Sequence, residues 1–204
     1  MIVIVDYQMG NVRSVLKAFE RLEIDAVISS KIEDIDSAEK LILPGVGHFK
    51  KGMENLYKLN LAPILKEKVL GQKTPILGIC LGMQLFARES EEGDCAGLGW
   101  IDAKAVKFNF SKNSRFRAPH IGWNSMALMR ESLVLKGVAI DDLFYFVHSY
   151  YVICKHDVDV VATTEYGETF SSLIQKENIY GVQFHPEKSH KNGLRILDNF
   201  SRLI

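Results

Sequence analysis

The sequence is poor in cysteine, in net charge and in long apolar runs, and each shortage removes a class of protein. Cys80, Cys95 and Cys154 are the only cysteines in 204 residues, too few and too scattered for a disulfide framework or a zinc site. Lysine and arginine total 25, and so do aspartate and glutamate. There is no cationic surplus to displace counterions from a polyanion, so no nucleic-acid partner is expected. No apolar run reaches the roughly 18 residues of a membrane span, and no membrane association is expected. The opening MIVIVDYQMG has neither the basic start nor the small-residue cleavage site of a secretory signal. Together with the cysteine usage, this predicts a cytoplasmic protein. His48, His156 and His190 show no ligand spacing, and neither a metal nor a cofactor is expected.

A composition of 47% hydrophobic and 25% charged residues is that of an ordinary globular protein. The length suits one domain over residues 1–204. Residues 2–5 form a β-branched run compatible with a buried parallel strand. From there Val12, Val15, Leu16, Phe19 and Leu22 recur at helical spacing, with Asn11 placed to cap. Residues 26–28 and 41–43 read as two further strands, the second entering the loop Pro44-Gly45-Val46-Gly47. Helical patterns cover 51–59 and 63–70, and 76–79 reads as a fourth strand ending at Cys80. Such alternation predicts a parallel sheet with helices on both faces. Beyond Gly93 the pattern changes to strands at 103–108, 133–135, 144–153, 158–164, 171–175 and 180–184, closed by a helix over 191–204. The expected fold is a single α/β domain with a mixed, mainly parallel sheet flanked by helices.

The most informative segment is Gly78-Ile-Cys80-Leu-Gly82. An apolar strand delivers a cysteine to a turn whose glycine neighbours permit strain, the cysteine form of a nucleophile elbow. A helix starting after Cys80 would place its positive end beside the sulfur and favour the thiolate. The Leu81 N–H would face an oxyanion formed on an attacked carbonyl. A thiol nucleophile needs a base. Among six histidines, His185 follows the strand Tyr180-Gly-Val-Gln-Phe184 and precedes Pro186-Glu187. That spacing lets Glu187 orient the imidazole, as the third member of a triad does. Cys95 and Cys154 lack such turns and read as packing or surface residues. His120, His148, Trp100 and Trp123 read as structural, with an interface role also open for His120.

Gly78-Ile-Cys80-Leu-Gly-Met-Gln84 and Gly181-Val-Gln-Phe-His185-Pro-Glu187 resemble the two signatures of class I glutamine amidotransferases. The family fold, a flavodoxin-like sheet bearing a nucleophile elbow, agrees with the pattern above. Asp6-Tyr7-Gln-Met-Gly10-Asn11, the Pro44-Gly47 loop, Ser90-Glu-Glu92-Gly93, Pro119-His-Ile-Gly-Trp-Asn124, Phe146-Val-His-Ser-Tyr150 and Lys188-Ser189 narrow the resemblance. It becomes one to the glutaminase subunits of imidazole glycerol phosphate synthases, enzymes of histidine biosynthesis. One departure is Gln8, where that group usually has glycine after Asp-Tyr.

The resemblance implies an enzyme in which Cys80 attacks the side-chain amide of glutamine, His185 shuttles the proton and Glu187 orients it. It implies an oxyanion strand at the Pro44-Gly47 loop, where a peptide flip turns the Val46 or Gly47 N–H toward that of Leu81. It places Gln84, Glu92, Ser149 and Tyr150 around the amino-acid end of the substrate. Asn11 and Lys188 would lie at the mouth of an ammonia path, facing a (β/α)8-barrel cyclase subunit in a heterodimer. An alternative within the same chemistry is a paralogous glutaminase that feeds ammonia to another synthase, as in surface-sugar amidation.

Overall fold

The computed structural model describes residues 1–112 and 114–204. The chain begins β1 (Ile2–Val5), α1 (Val12–Arg21), β2 (Ala26–Ser29), α2 (Ile32–Asp36) and β3 (Lys40–Gly45). It continues through α3 (Phe49–Lys58), α4 (Leu61–Lys66) with a π-helical turn over Glu67–Gly71, β4 (Ile76–Cys80) and α5 (Leu81–Gln84). Strands then dominate: β5 (Glu89–Ser90), β6 (Cys95–Ala96), β7 (Ala103–Lys107), β8 (His120–Asn124), β9 (Ala127–Leu128), β10 (Phe144–His148) and β11 (Tyr150–Cys154). Last come β12 (Val160–Glu165), β13 (Thr169–Lys176), β14 (Ile179–Val182) and α6 (His190–Leu203).

The main sheet runs β2-β1-β3-β4-β14-β13-β11-β7-β5-β6, with β12 and β9 branching from β13. Its first five strands are parallel, and antiparallel pairing begins at β13. Both faces are covered, which explains why β1 reads as an unbroken apolar run. Val3 and Val5 pack into one core cluster while Ile2 and Ile4 pack into the other. The amphipathic α1 presents Val15, Ala18 and Phe19 to the second cluster, and the Asn11 side chain accepts from the Ser14 N–H at 3.2 Å, as a cap should. No helix among the described residues is long and apolar enough to cross a membrane.

Two expected strands are corrected. Residues 133–135 form a 3-10 turn, Leu133–Leu135, with Val134 and Leu135 buried; a three-residue apolar run carries no period that separates strand from turn. Residues 144–153 are not one strand. The chain breaks at Ser149, leaving β10 paired with β8 in a separate two-stranded sheet and β11 paired with β7 in the main one. Strand β8, which lies in none of the expected segments, alternates a buried His120 with an exposed Ile121 and an exposed Trp123.

Candidate active site

The parallel register sets the carboxyl ends of three neighbouring strands together. Gly45 at the end of β3 lies opposite Cys80 at the end of β4, and Val182 of β14 lies opposite Ile79, so the segment leaving β14 brings in His185. Cys80 takes φ 54° and ψ −108°, a conformation that costs of order 1–3 kcal/mol and survives only where the surroundings impose it. They do. A Cβ at Gly82 would stand 1.7 Å from the Leu43 carbonyl oxygen, and one at Gly78 would meet the Phe86 ring and the Met83 nitrogen below 3 Å. The glycines let α5 lie against β3 and β4, and this close packing holds the cysteine at the turn.

His185 is pinned from both sides of its backbone: its N–H donates to the Tyr145 carbonyl at 2.9 Å, and its carbonyl accepts from the Ser189 hydroxyl at 2.6 Å. Its Nδ1 lies 2.8 Å from Glu187 Oε1, both side chains buried. A carboxylate accepts, so Nδ1 carries the hydrogen. Nε2 is buried without a hydrogen-bond partner among the described residues, which leaves it for the neighbouring sulfur. Burial alone would lower the His185 pKa; the Cys80 sulfur and then Glu187 outweigh it and raise the pKa to about 10. The arrangement favours an imidazolium facing the sulfur.

Beside the sulfur opens a cavity of about 380 Å³ whose walls include Val46, Gly47, Leu81, Gln84, Glu92, Ser149 and Tyr150. All the residues expected for the oxyanion and glutamine positions thus gather at one opening. Gln84 is buried, and its Nε2 donates to the Tyr150 carbonyl at 2.9 Å. Glu92 Oε2 accepts from the Phe49 N–H at 2.7 Å, capping α3, whose own N-cap residue His48 makes no side-chain cap bond. The Leu81 N–H opens α5 beside Cys80. The Val46 N–H is turned away and donates to the Met9 carbonyl at 2.5 Å. Gly47 at φ 100° occupies backbone space that favours glycine, which gives the Val46 peptide freedom to turn.

Asn11 and Lys188 are both exposed, and α1 packs against the 3-10 turn Pro186–Lys188. Lys188 Nζ sits 5.9 Å from the Tyr145 ring centroid. Gln8 takes φ 65° with its N–H on Asp6 Oδ1 at 3.0 Å, a left-handed position that favours glycine.

Sequence reasoning missed two features. Trp123 is exposed rather than packed inside, and it stacks on His190 at 5.0 Å and meets Tyr145 edge-on at 5.8 Å. Gln183, fully buried, points its amide at the Cys80 sulfur at 3.6 Å; its place in the Gly181–Glu187 motif was the available signal. His120 and His148 are buried, as expected, and Trp100 stacks on Phe86 at 5.2 Å.

The sequence model of the family described as glutamine amidotransferase class-I matches residues 3–203. The chain is similar to imidazole glycerol phosphate synthase subunit HisH 2 of Methanococcus maripaludis, at 50% identity over 98% of both chains. It is similar to subunit HisH 1 of Campylobacter jejuni at 48% and to subunit HisH of Leptospira interrogans at 42%, each over the full length of both chains. Among solved structures, a glutamine amidotransferase aligns at a TM-score of 0.71 and 20% identity over 98% of this chain and 99% of its own. PurLQS from Thermotoga maritima aligns at 0.69 and 18%, over 98% and 96%.

Proposed function

The chain belongs to the class I glutamine amidotransferases, and from that premise we propose that it is the ammonia-producing subunit of an imidazole glycerol phosphate synthase. It hydrolyses glutamine to glutamate and ammonia and passes the ammonia to a cyclase subunit that makes imidazole glycerol phosphate and aminoimidazole carboxamide ribonucleotide. The observation that carries the chemistry is the buried His185–Glu187 pair at 2.8 Å with its free Nε2 beside a cysteine held in a strained strand-to-helix turn.

The Cys80 thiolate attacks the side-chain carbonyl carbon of glutamine, and the carbonyl oxygen takes the charge. His185 gives its Nε2 proton to the amide nitrogen, which leaves as ammonia, and a γ-glutamyl thioester remains. Water then attacks the thioester carbon and gives a proton to His185, the C–S bond breaks, and glutamate departs from a restored thiolate. The oxyanion is met by the Leu81 N–H at the start of α5 and by the Val46 N–H once the latter leaves the Met9 carbonyl. In the cavity Gln84, Glu92 and the backbone at Ser149 and Tyr150 offer acceptors to the ammonium and donors to the carboxylate of a free amino acid.

The turned-away Val46 N–H supports a site that is quiet until a partner acts. The outer surface around Tyr145 supports where that partner sits: exposed Ile121 and Trp123, with His190 stacked on the tryptophan, Tyr145 edge-on to it and Lys188 near the Tyr145 ring, form an aromatic, cation-bearing patch suited to an interface. Asn11 lies on the neighbouring helix start. The deciding measurement is glutamate release by the purified chain, alone and with the cyclase and its nucleotide ligand. Near-silence alone and strong activation in the complex is the expected result. Release that ignores this cyclase would send the ammonia to a different synthase, and no release in either state would overturn the reading.

A further inference from the structure

The Cys80 sulfur has a neighbour that the triad does not use. Gln183 Nε2 lies 3.6 Å from Cys80 Sγ. Gln183 Oε1 accepts from Gln84 Nε2 at 3.1 Å, and the same Gln84 nitrogen donates to the Tyr150 carbonyl at 2.9 Å. The polarity of this chain follows from one atom. A backbone carbonyl only accepts, so Gln84 must present its NH2 group to Tyr150. The second hydrogen of that group points to Gln183, which must answer with oxygen and therefore turns its own NH2 to the sulfur. A reversed Gln183 would set nitrogen against nitrogen at one end and oxygen against a thiolate at the other.

The same carbonyl orders the far side. His148 Nδ1 lies 2.8 Å from the Tyr150 oxygen and so carries a hydrogen; its Nε2 then accepts from His120 Nδ1 at 3.2 Å. Burial keeps both imidazoles neutral, lowering their pKa values to about 3 and about 4, which preserves the donor-acceptor order.

We propose that Gln183 is a further catalytic residue of the glutaminase, whose side-chain N–H donates to the Cys80 sulfur whenever that atom is negative. The inference rests on the reading of Cys80 as nucleophile. The donor acts twice. It holds the thiolate before attack, and it meets the charge again when water opens the thioester, the C–S bond breaks and the electron pair returns to sulfur. Hydrogen bonds to a charged partner are the stronger kind. The titratable groups that face the sulfur are His185 from the segment after β14 and Tyr7 from the end of β1, with Glu187 behind His185. As a thiol, the sulfur can turn its hydrogen to the Val147 carbonyl, 4.0 Å away, or to His185 Nε2 when that ring is neutral. Gln84, a wall of the glutamine cavity, is thereby bonded in series with the group that steadies the nucleophile.

The test uses the assembled complex with the cyclase and two variants, Gln183→Leu and Gln183→Glu. Cys80 alkylation by iodoacetamide is followed against pH, beside glutamine-driven and ammonia-driven synthesis. Ammonia-driven synthesis within about twofold of wild type reports intact fold and docking. Glutamine-driven kcat should fall about tenfold to hundredfold, by more than KM for glutamine rises. The alkylation profile should move toward alkali by about one pH unit in Gln183→Leu, and further in Gln183→Glu, whose carboxylate would face the sulfur. Profiles that superimpose on wild type in both variants overturn the proposal. Should neither variant assemble, the side-chain amide resonance of Gln183 in wild-type protein labelled with nitrogen-15 decides: it should move when Cys80 is alkylated, and a fixed resonance overturns the role. A wild-type complex that releases no glutamate overturns instead the glutaminase reading, while the alkylation profiles still judge Gln183.

Discussion

At the scale of single residues, the proposed chemistry separates two activities that share one complex. Cys80→Ala should abolish glutamine-driven synthesis and leave ammonia-driven synthesis intact, measured on the same preparation; loss of both would deny Cys80 its specific role. Glu187→Gln tests the imidazolium. The His185 pKa is raised to about 10 from an ordinary value near 6.5, so its proton stabilises the fold fully below about pH 6.5, and that stabilisation disappears as pH climbs through about 10. Melting temperatures of wild type should therefore decline between those limits, and Glu187→Gln should flatten the decline, because the carboxylate that helps hold the proton is gone. Cys80, His185 and Glu187 were legible because each stands in a short local pattern: glycines two residues to either side of the cysteine, and histidine, proline and glutamate in succession. Gln183 sits in the same motif, yet its partners Cys80 and Gln84 are 103 and 99 positions away. A contact of that reach leaves no local period, and only folding reveals it.

At the scale of elements, the elbow depends on an approach that no side chain can share. Gly82→Ala would drive a methyl into the Leu43 carbonyl and force β3 and α5 apart. A loss of about 2 kcal/mol or more is expected, read by denaturant melting of the isolated chain. The small β8–β10 sheet makes a prediction of opposite sign in pH. His120 and His148 are neutral in the fold, with pKa values lowered by burial to about 4 and about 3. The unfolded chain binds those protons below about pH 6.5, so stability should fall as pH drops from there toward 4. His148→Gln should lessen the fall; an unchanged slope would refute the neutral pair. The elements of the first half were legible because parallel strands buried on both faces and amphipathic helices carry distinct periods. The second half was less so. Residues 144–153 keep an apolar, β-prone texture across Ser149, and nothing in that texture records the transfer from one sheet to another. The break has a purpose in the fold: it leaves the Tyr150 carbonyl turned toward Gln84 and His148 rather than spent in a ladder.

At the scale of the whole molecule, one residue connects His185 of the proposed site to the exposed aromatic patch. Tyr145 joins them: its carbonyl holds the His185 N–H, and its ring meets Trp123 and lies near Lys188. Trp123→Ala and Lys188→Ala should each weaken association with the cyclase, the tryptophan about tenfold or more, while melting of the isolated chain stays within about 0.5 kcal/mol of wild type. Titration calorimetry gives the first quantity and thermal melting the second; unchanged affinity in both variants would move the interface elsewhere. The outward turn of Trp123 was not legible in the sequence, because a tryptophan after Ile121-Gly122 reads as packing whether it turns inward or outward.

The bond from the Val46 N–H to the Met9 carbonyl has a consequence for supply. An N–H engaged there is unavailable to an oxyanion, so on the proposed reading a chain without its partner is an idle one. Cells that make this subunit in excess of the cyclase would not drain their glutamine pool or release stray ammonia. Nitrogen flow would follow the number of assembled complexes rather than the number of glutaminase chains, and the two subunits could be synthesised in unequal amounts without waste.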